Sequence, residues 1–233
     1  MDSVLFIVDM NNGFAREGAL SSERVEKIIP NIVKVIEEFK DNGDRIVAFT
    51  DSHKKDAAEF KSFPPHCVEG TAECELVDEI KAYEEDMKVI KKNSTNAFLE
   101  EETQIEVNDL INKGVKKWYV TGCVTDICVK QFTLTLKTYF NKENLDIEVE
   151  ALKIIEVIEN LPNIENLTLD YENSIIEARK TVTAFNNDSY ITNLDKLINL
   201  ENKISQLKEE KAKEEEQRKK ELAAISAIEK LPE

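Results

Sequence analysis

The sequence predicts an α/β fold, an open parallel sheet with helices on both faces, followed by an all-helical C-terminal extension. Two observations carry this prediction. Through residues 1–150, short continuous apolar runs alternate with amphipathic stretches, and such runs are typical of parallel strands that are covered on both faces. After residue 150 the chain has no glycine and no strand-like run. We therefore expect two domains, residues 1–150 and residues 151–233.

Five apolar runs predict the strands, and the stretches between them predict helices. The runs are Val4–Val8, Arg45–Phe49, Met87–Ile90, Val115 with Trp118–Val120, and Ile147–Val149. Apolar residues recur at helical spacing in Glu23–Phe39, Leu76–Tyr83 and Ile105–Lys113. This alternation of strands and helices favours right-handed crossovers and a parallel sheet.

The region after residue 150 contains part of an internal repeat. Residues 152–163 and 222–233 are identical at six of twelve aligned positions, 70 residues apart, which indicates one helical unit and the start of a second. We expect three helices, at about Leu152–Glu159, Asp170–Ala184 and Ile191–Ile228. The last helix is rich in Lys and Glu from Asn202 to Leu222. Past Leu207 it has no apolar stripe until Leu222, so we expect that stretch to project into solvent.

Composition excludes several classes of protein. The 233 residues contain 31 Lys and Arg against 47 Asp and Glu, which gives a net charge of −16. Such an acidic chain is a poor partner for nucleic acid or an anionic membrane, and no apolar run is long enough to span a bilayer. The four cysteines are irregularly spaced, and we see no signal peptide, so we expect free thiols and a cytoplasmic protein.

Reactive side chains follow several predicted strands. Asp9, Asp51 and Lys92 each come at the end of an apolar run, and the fourth run leads into the segment Gly122–Cys128. Reactive groups of open parallel sheets gather at the carboxyl ends of the strands. We therefore expect these residues to meet at one site.

Cys128 is the candidate nucleophile. Gly122 ends the strand, and Thr125 or Asp126 can cap the next helix, which places Cys128 in its first turn. A helix N-terminus and a nearby lysine such as Lys92 both lower the pKa of a thiol, and a carboxylate such as Asp9 can accept its proton. The alternative is a buried structural cysteine, for which the odds are about even for Cys128 taken alone.

The two histidines of the chain are candidate metal ligands. Asp51 and His53 are two residues apart in an extended segment and therefore share a face, and His66 follows. One Asp and two His suit a single divalent ion of Zn, Fe or Mn, and Glu59 is a candidate fourth ligand. Surface histidines on a polar loop are the alternative, and this pair alone favours that alternative.

Taken together, these segments resemble nicotinamidases and the wider isochorismatase-like cysteine hydrolases. The matching segments are Val8–Phe14 with Gly18–Leu20, Asp51–His53, Phe63–Thr71, Lys92 to Phe98, and Gly122–Val129. The order and rough spacing agree over about residues 3–150. The segment Phe63–Val68 favours nicotinamidase over the metal-free members of the superfamily.

The resemblance implies a mechanism and a set of roles. Cys128 attacks the carbonyl of nicotinamide, ammonia leaves, and water releases nicotinate for NAD salvage. Asp9 is the base and Lys92 holds the charged group in place. The resemblance also implies a cis peptide between Cys123 and Val124 that directs the Val124 and Cys128 amides at the oxyanion. The metal on Asp51, His53 and His66 binds the substrate's ring nitrogen, and Phe14 and Phe63 flank the ring.

Some residues depart from the family pattern. The first loop has Asn11 and Gly13 where the family usually has Gln and Asp, and Thr95 and Asn96 stand where it usually has a Tyr. The family usually continues after the fifth strand with another helix and an edge strand, and we expect this chain to depart from that pattern at about residue 150. The helical extension then covers the open sheet edge, or the hydrolase domain is damaged.

Three classes of function are therefore open. The first is a metal-dependent nicotinamidase; the second is a related cysteine hydrolase acting on another small amide, or on an isochorismate-like substrate without metal. The third is a truncated, non-catalytic scaffold. Residues 152–233 resemble helical repeats of large Gram-positive surface proteins, which implies helix-mediated protein contacts or a homo-oligomer. We prefer the simpler explanation that the charged tail is a solvated helix, because its Glu and Lys pairs at helical spacing are enough to explain the composition.

Overall fold

The protein is described by a computed structural model that covers residues 1–151, 154–185, 191 and 193–228. Within these residues the chain forms two compact units. In the described residues, the first consists of residues 1–151, 154–157 and 191, and the second consists of residues 158–185 and 193–228. The assignment of two domains divided at residue 150 stays a prediction. The start of the first predicted C-terminal helix, at Leu152, and residues 229–233 of the partial repeat lie outside the described residues.

The first unit is built on a five-stranded parallel sheet, as the apolar runs predicted. The strand order is β3-β2-β1-β4-β5, and every neighbouring pair is parallel. The strands are β1 (Ser3–Val8), β2 (Arg45–Asp51), β3 (Lys88–Lys92), β4 (Lys117–Gly122) and β5 (Glu148–Ala151). The chain order reverses between β1 and β4, and this switch point is where open parallel sheets place their sites.

Helices cover both faces of the sheet, which confirms the predicted architecture. The helices of the first unit are α1 (Asn12–Ala15), α2 (Glu23–Asp41), α3 (Asp78–Lys81), α4 (Glu101–Asn112) and α5 (Lys130–Lys142). On one face, Phe6 and Trp118 pack with Phe132 of α5 in a continuous apolar core. On the other face, Phe39 of α2 packs edge-on against Tyr119 at 5.5 Å. The strands therefore present apolar side chains on both sides, which explains their unbroken runs.

The predicted helix over Leu76–Tyr83 is wrong in extent. Only Asp78–Lys81 is α-helical. Leu76 instead forms an antiparallel bridge with Asn11, and Val77 donates its N–H to the Met10 carbonyl at 3.0 Å. The apolar residues that gave this stretch a helical pattern are thus used to attach a loop to the end of β1.

The second unit is helical in its described residues. Its elements are the last two residues of α6 (Ile154–Glu159), α7 (Glu172–Phe185) and α8 (Leu194–Ile228). Helix α7 packs against α8, and Ile175 and Ala178 of α7 and Leu197 and Leu200 of α8 are all buried. From residue 208 to residue 222 every residue of α8 is exposed, as the charge pattern predicted. Among the described residues after Ala151 there is no further strand.

Candidate active site

Three strand ends place charged side chains at one edge of the sheet. Asp9 follows β1, Asp51 ends β2 and Lys92 ends β3. The register pairs Asp51 with Lys92, and Asp9 is held beside β2 because its N–H donates to the Phe49 carbonyl at 3.0 Å. All three charged side chains are at most 2% exposed. Charges buried this deeply are costly unless they are paired.

Lys92 connects the two halves of this site. Its Nζ lies 2.9 Å from Asp9 Oδ2 and 2.8 Å from Asp51 Oδ1, and 4.0 Å from Cys128 Sγ. Burial by itself lowers the pKa of Lys92, but the charges of the two aspartates raise that pKa above its ordinary value. Lys92 is therefore a permanent cation between the thiol and the second carboxylate.

The pKa of the Asp9 carboxyl group lies near neutral pH. Burial raises the pKa of Asp9 to about 7, although the charge of Lys92 acts in the opposite direction. A group whose pKa lies close to neutral pH can accept a proton in one step and return it in the next. Asp9 therefore has the property of a general base and acid.

A close backbone contact places the segment that carries Cys128. Gly122, the last residue of β4, has a φ of 115°, and a Cβ there would lie 2.0 Å from the Val8 carbonyl oxygen. No larger residue allows β4 to end so close to β1. The peptide bond between Cys123 and Val124 is cis. The chain then enters a single π-helical turn, Thr125–Val129, which leads directly into α5.

The cap expected near Cys128 is wrong, and the expected effect of Lys92 on its pKa is present but outweighed by burial. The turn begins after Val124 without a side-chain cap, so neither Thr125 nor Asp126 caps it. Burial, together with the charge of Asp9, raises the pKa of the Cys128 thiol, and the lowering effect of Lys92 does not compensate. These effects favour the neutral thiol of Cys128 over the thiolate.

Asp51, His53 and His66 form the second half of the site. One donor atom from each lies within 4.8 Å of the other two. His53 Nε2 is 2.9 Å and His66 Nε2 is 3.3 Å from Asp51 Oδ2, while the other oxygen of Asp51 binds Lys92. Burial opposes ionisation of Asp51, but hydrogen bonds from both histidines, with the charge of Lys92, lower its pKa.

This arrangement fits a divalent metal ion. The Nδ1 atoms of both histidines are held from outside the cluster, His53 by Asn93 Oδ1 and His66 by the Pro64 carbonyl, each at 2.8 Å. Metal-binding histidines use such outer partners to keep the proton on one ring nitrogen and the lone pair on the other. A set of one Asp and two His suits Zn, Fe or Mn. Glu59, the candidate fourth ligand, is not part of the cluster.

Aromatic side chains surround the two histidines. The ring of Phe14 lies 5.7 Å and that of Phe63 lies 6.3 Å from His66. Phe60 contacts both rings, at 5.4 Å from His53 and 5.6 Å from His66. Sequence reasoning did not single out Phe60, and its place in the short 3₁₀ helix Ala58–Lys61 gives no periodic signal.

The remaining cysteines lie outside this group of charged residues. Cys123 is buried, its Sγ donates to the Asp9 carbonyl at 2.9 Å, and burial raises its pKa well above the ordinary value. Burial likewise raises the pKa of Cys67 and of Cys74. All four cysteines are free.

The residues that depart from the family pattern have structural contacts of their own. Asn11 Nδ2 donates to the Asp51 and Cys74 carbonyls at 3.2 and 2.8 Å. A Cβ on Gly13 would lie 2.7 Å from Cys67 Sγ, so a larger side chain has no room there. Thr95 and Asn96 bond to side chains of α5 at 2.9 Å.

The family model of the isochorismatase domain matches residues 3–138, which is more than half of the 233-residue chain. The chain belongs to the isochorismatase family. Nicotinamidase 1 of Arabidopsis thaliana is 35% identical over 143 residues, which cover 56% of this chain and 58% of that relative. The chain thus matches little more than half the length of this relative.

Solved structures of the isochorismatase fold agree with this assignment. N-carbamoylsarcosine amidase from Thermoplasma acidophilum has a TM-score of 0.57 and 25% identity, covering 66% of this chain and 82% of that one. The pyrazinamidase of Pyrococcus horikoshii in complex with zinc has a TM-score of 0.56 and 28% identity, covering 77% and 96%. The resemblance of residues 152–233 to surface-protein repeats stays a prediction.

Among the described residues, no helix is both long and apolar enough to cross a bilayer.

Proposed function

We propose that this isochorismatase-family chain is a metal-dependent amidohydrolase that converts nicotinamide to nicotinate and ammonia. The observation that carries the proposal is the bridge made by Lys92. Its ammonium contacts Asp9 at 2.9 Å and Asp51 at 2.8 Å and so joins a base and a thiol to a cluster of metal-binding side chains. A purely structural ion pair requires neither the thiol nor the two histidines.

The first half of the reaction forms a thioester. Asp9 accepts the proton of the Cys128 thiol, and the sulfur bonds to the carbonyl carbon of the amide. The backbone amides of Val124 and Cys128 would stabilise the negative charge that develops on the carbonyl oxygen. The C–N bond then breaks, and Asp9 returns its proton to the leaving nitrogen, which departs as ammonia.

The second half releases the acid. Water loses a proton to Asp9 and attacks the thioester carbon, the C–S bond breaks, and the sulfur takes the proton back. Every proton that Asp9 accepts is therefore returned within one turnover. A pKa of about 7 for Asp9 supports this double role because both directions of transfer are then feasible at neutral pH.

Asp51, His53 and His66 would hold the divalent ion. When bound, the ion would supply a coordination position for the ring nitrogen of the substrate and so orient the amide. Phe14 and Phe63, together with Phe60, would enclose the apolar faces of the ring. Asn93 and the Pro64 carbonyl would keep the two imidazoles oriented.

A second candidate is hydrolysis of another small amide by the same thiol. Two observations favour it: the side chain of Asn11 is engaged with two backbone carbonyls, and Gly13 contributes no side chain to the pocket. The likeness to N-carbamoylsarcosine amidase supports a non-aromatic amide as the alternative substrate. The four free thiols further support a reducing compartment such as the cytoplasm.

The deciding experiment is an ammonia-release assay on the purified full chain. Nicotinamide and N-carbamoylsarcosine would be compared, each with and without a chelator. We expect ammonia from nicotinamide and loss of that activity with chelator, restored by a divalent ion. Chelator-resistant turnover of nicotinamide would contradict the metal dependence, and turnover of N-carbamoylsarcosine alone would establish the second candidate.

A further inference from the structure

The two histidines of the metal cluster are held in different ways. His66 Nδ1 is bonded to the backbone carbonyl of Pro64, and His53 Nδ1 is bonded to the side-chain oxygen of Asn93, both at 2.8 Å. A backbone carbonyl accepts this hydrogen bond whichever residue occupies the position. A side-chain acceptor is present only if the residue at that position carries one. Only the His53 contact can therefore be changed by a single substitution of its partner.

Asn93 is placed firmly for this contact. It follows Lys92, whose strand β3 pairs with β2 in a register that sets Lys92 beside Asp51. Its own backbone N–H donates to Glu100 Oε1 at 3.0 Å. The carboxamide thus extends from a fixed point next to the central lysine and reaches the ring of His53 two residues beyond Asp51.

We propose that Asn93 is a positioning residue that sets the affinity of the site for a divalent first-row metal ion. The inference rests on the proposed metal-dependent function. With Asn93 Oδ1 as acceptor, the proton of the neutral His53 ring stays on Nδ1 and the Nε2 lone pair faces Asp51 Oδ2. A neutral amide makes the ring less basic than a carboxylate partner does, so it gives a weaker ligand than the more usual carboxylate.

Other nearby groups do not supply this contact. Glu59 acts on His53 only through its charge, and Glu100 binds the Asn93 backbone. Without the Asn93 side chain, Nδ1 of the His53 ring would lose its hydrogen-bond acceptor. Asn93 therefore has a role toward a candidate metal ligand and is more than a structural residue of the loop.

The test is the dissociation constant for Zn²⁺ of the full-length protein, measured without substrate by competition with a chromophoric chelator. We expect Asn93→Ala to weaken binding about 10- to 100-fold, and Asn93→Asp, which restores an acceptor and adds charge, to bind at least as tightly as the original. Asn108→Ala is the matched control. It also removes one carboxamide contact, to Tyr139 at 2.9 Å, but on α4, and should leave the affinity unchanged.

The absorption bands of bound Co²⁺ provide a second readout, because they report the ligand geometry. Asn93→Ala should shift these bands, and Asn93→Asp should leave them close to those of the unaltered protein. If the unaltered protein and Asn93→Ala had equal Zn²⁺ affinity and equal Co²⁺ spectra, the role of Asn93 would be overturned and the metal-dependent function would stand. The same conclusion would follow if Asn93→Ala and Asn93→Asp weakened binding equally. Failure of the unaltered protein to bind Zn²⁺ would overturn the metal-dependent function and this inference with it.

Discussion

The two units of the chain use charged residues in opposite ways. In the first unit Asp9, Asp51 and Lys92 are at most 2% exposed and contact one another directly. In the second unit the charges lie at the surface, as in the pair of Lys220 and Glu216, whose side chains are 68% and 66% exposed. Charged residues make up a third of the whole chain, so their abundance does not distinguish the units.

This difference indicates that a charged residue with a function is recognised by its burial and not by the number of charged residues around it. A buried ion pair gains little stability over apolar packing of the same volume, so a buried cluster of three charges needs a chemical reason. Exposed pairs on a helix cost almost nothing and contribute little. We therefore expect substitutions in the first cluster to affect chemistry, and those in α8 to affect neither chemistry nor stability strongly.

The largest expected effect follows from removing the sulfur of Cys128. Cys128→Ala should reduce ammonia release from nicotinamide about 1,000-fold or more, because the proposed thioester forms on its sulfur. Folding should be unaffected, since the substitution opens only a small gap. Ammonia release and the far-ultraviolet circular dichroism spectrum measure the two effects separately.

Cys123→Ala is the matched control, since it removes a buried thiol five residues away. It should keep activity within about tenfold, because the Cys123 thiol donates to the Asp9 carbonyl and takes no part in the proposed reaction. An essential Cys123 with a dispensable Cys128 would show that the nucleophile is wrongly assigned.

The next effect concerns the metal. Purified protein should contain one divalent ion per chain, and the double variant His53→Ala/His66→Ala should contain none, because a single remaining carboxylate holds such an ion poorly. Elemental analysis after gel filtration measures both. The same metal content in the two proteins would exclude this cluster as the binding site.

A smaller and graded effect is expected from pH. Asp9 must be ionised to accept the thiol proton, and its pKa is raised to about 7. Activity in kcat/KM should therefore rise about tenfold per pH unit up to pH 7 and level off above it. Asp126 is an exposed carboxylate two residues before Cys128 and serves as the control. Asp126→Asn should leave the rise of kcat/KM with pH unchanged. A flat profile between about pH 5.5 and 8 would show that Asp9 is not the base.

Much of the fold could be predicted because strands covered on both faces leave a continuous apolar pattern. Phe6 and Leu5 point to opposite faces of β1, and both are fully buried. The same pattern failed at Leu76, because an apolar residue that anchors a loop is indistinguishable in sequence from one on a helix face. Register and strand order come from tertiary packing and could not be derived from the runs themselves.

The site residues at the strand ends could be predicted from the sequence, but the pKa values of the side chains could not. Asp9, Asp51 and Lys92 follow apolar runs, so the sheet brings them together. The pKa of Cys128 depends on burial and on the distance to Asp9, which no motif encodes. Asn93 and Phe60 lie in short irregular segments, where contact depends on loop geometry rather than on spacing in the sequence.

The smallest effect is expected within the second unit, from its own ion pairs. Arg179 of α7 donates two hydrogen bonds to Glu201 of α8, at 2.7 and 2.6 Å, and both side chains are about one third exposed. Since a bidentate pair is stronger than a single contact but solvent screens it, Arg179→Ala should lower the free energy of unfolding of the helical unit by about 0.5–1 kcal/mol.

The control is Lys220→Ala, which removes an exposed pair within one helix. It should change the free energy of unfolding by less than about 0.5 kcal/mol. Urea unfolding followed at 222 nm compares the two variants. If Lys220→Ala were as destabilising as Arg179→Ala, exposed charges in α8 would matter as much as pairs between helices, and the contrast drawn between buried and surface charges would fail.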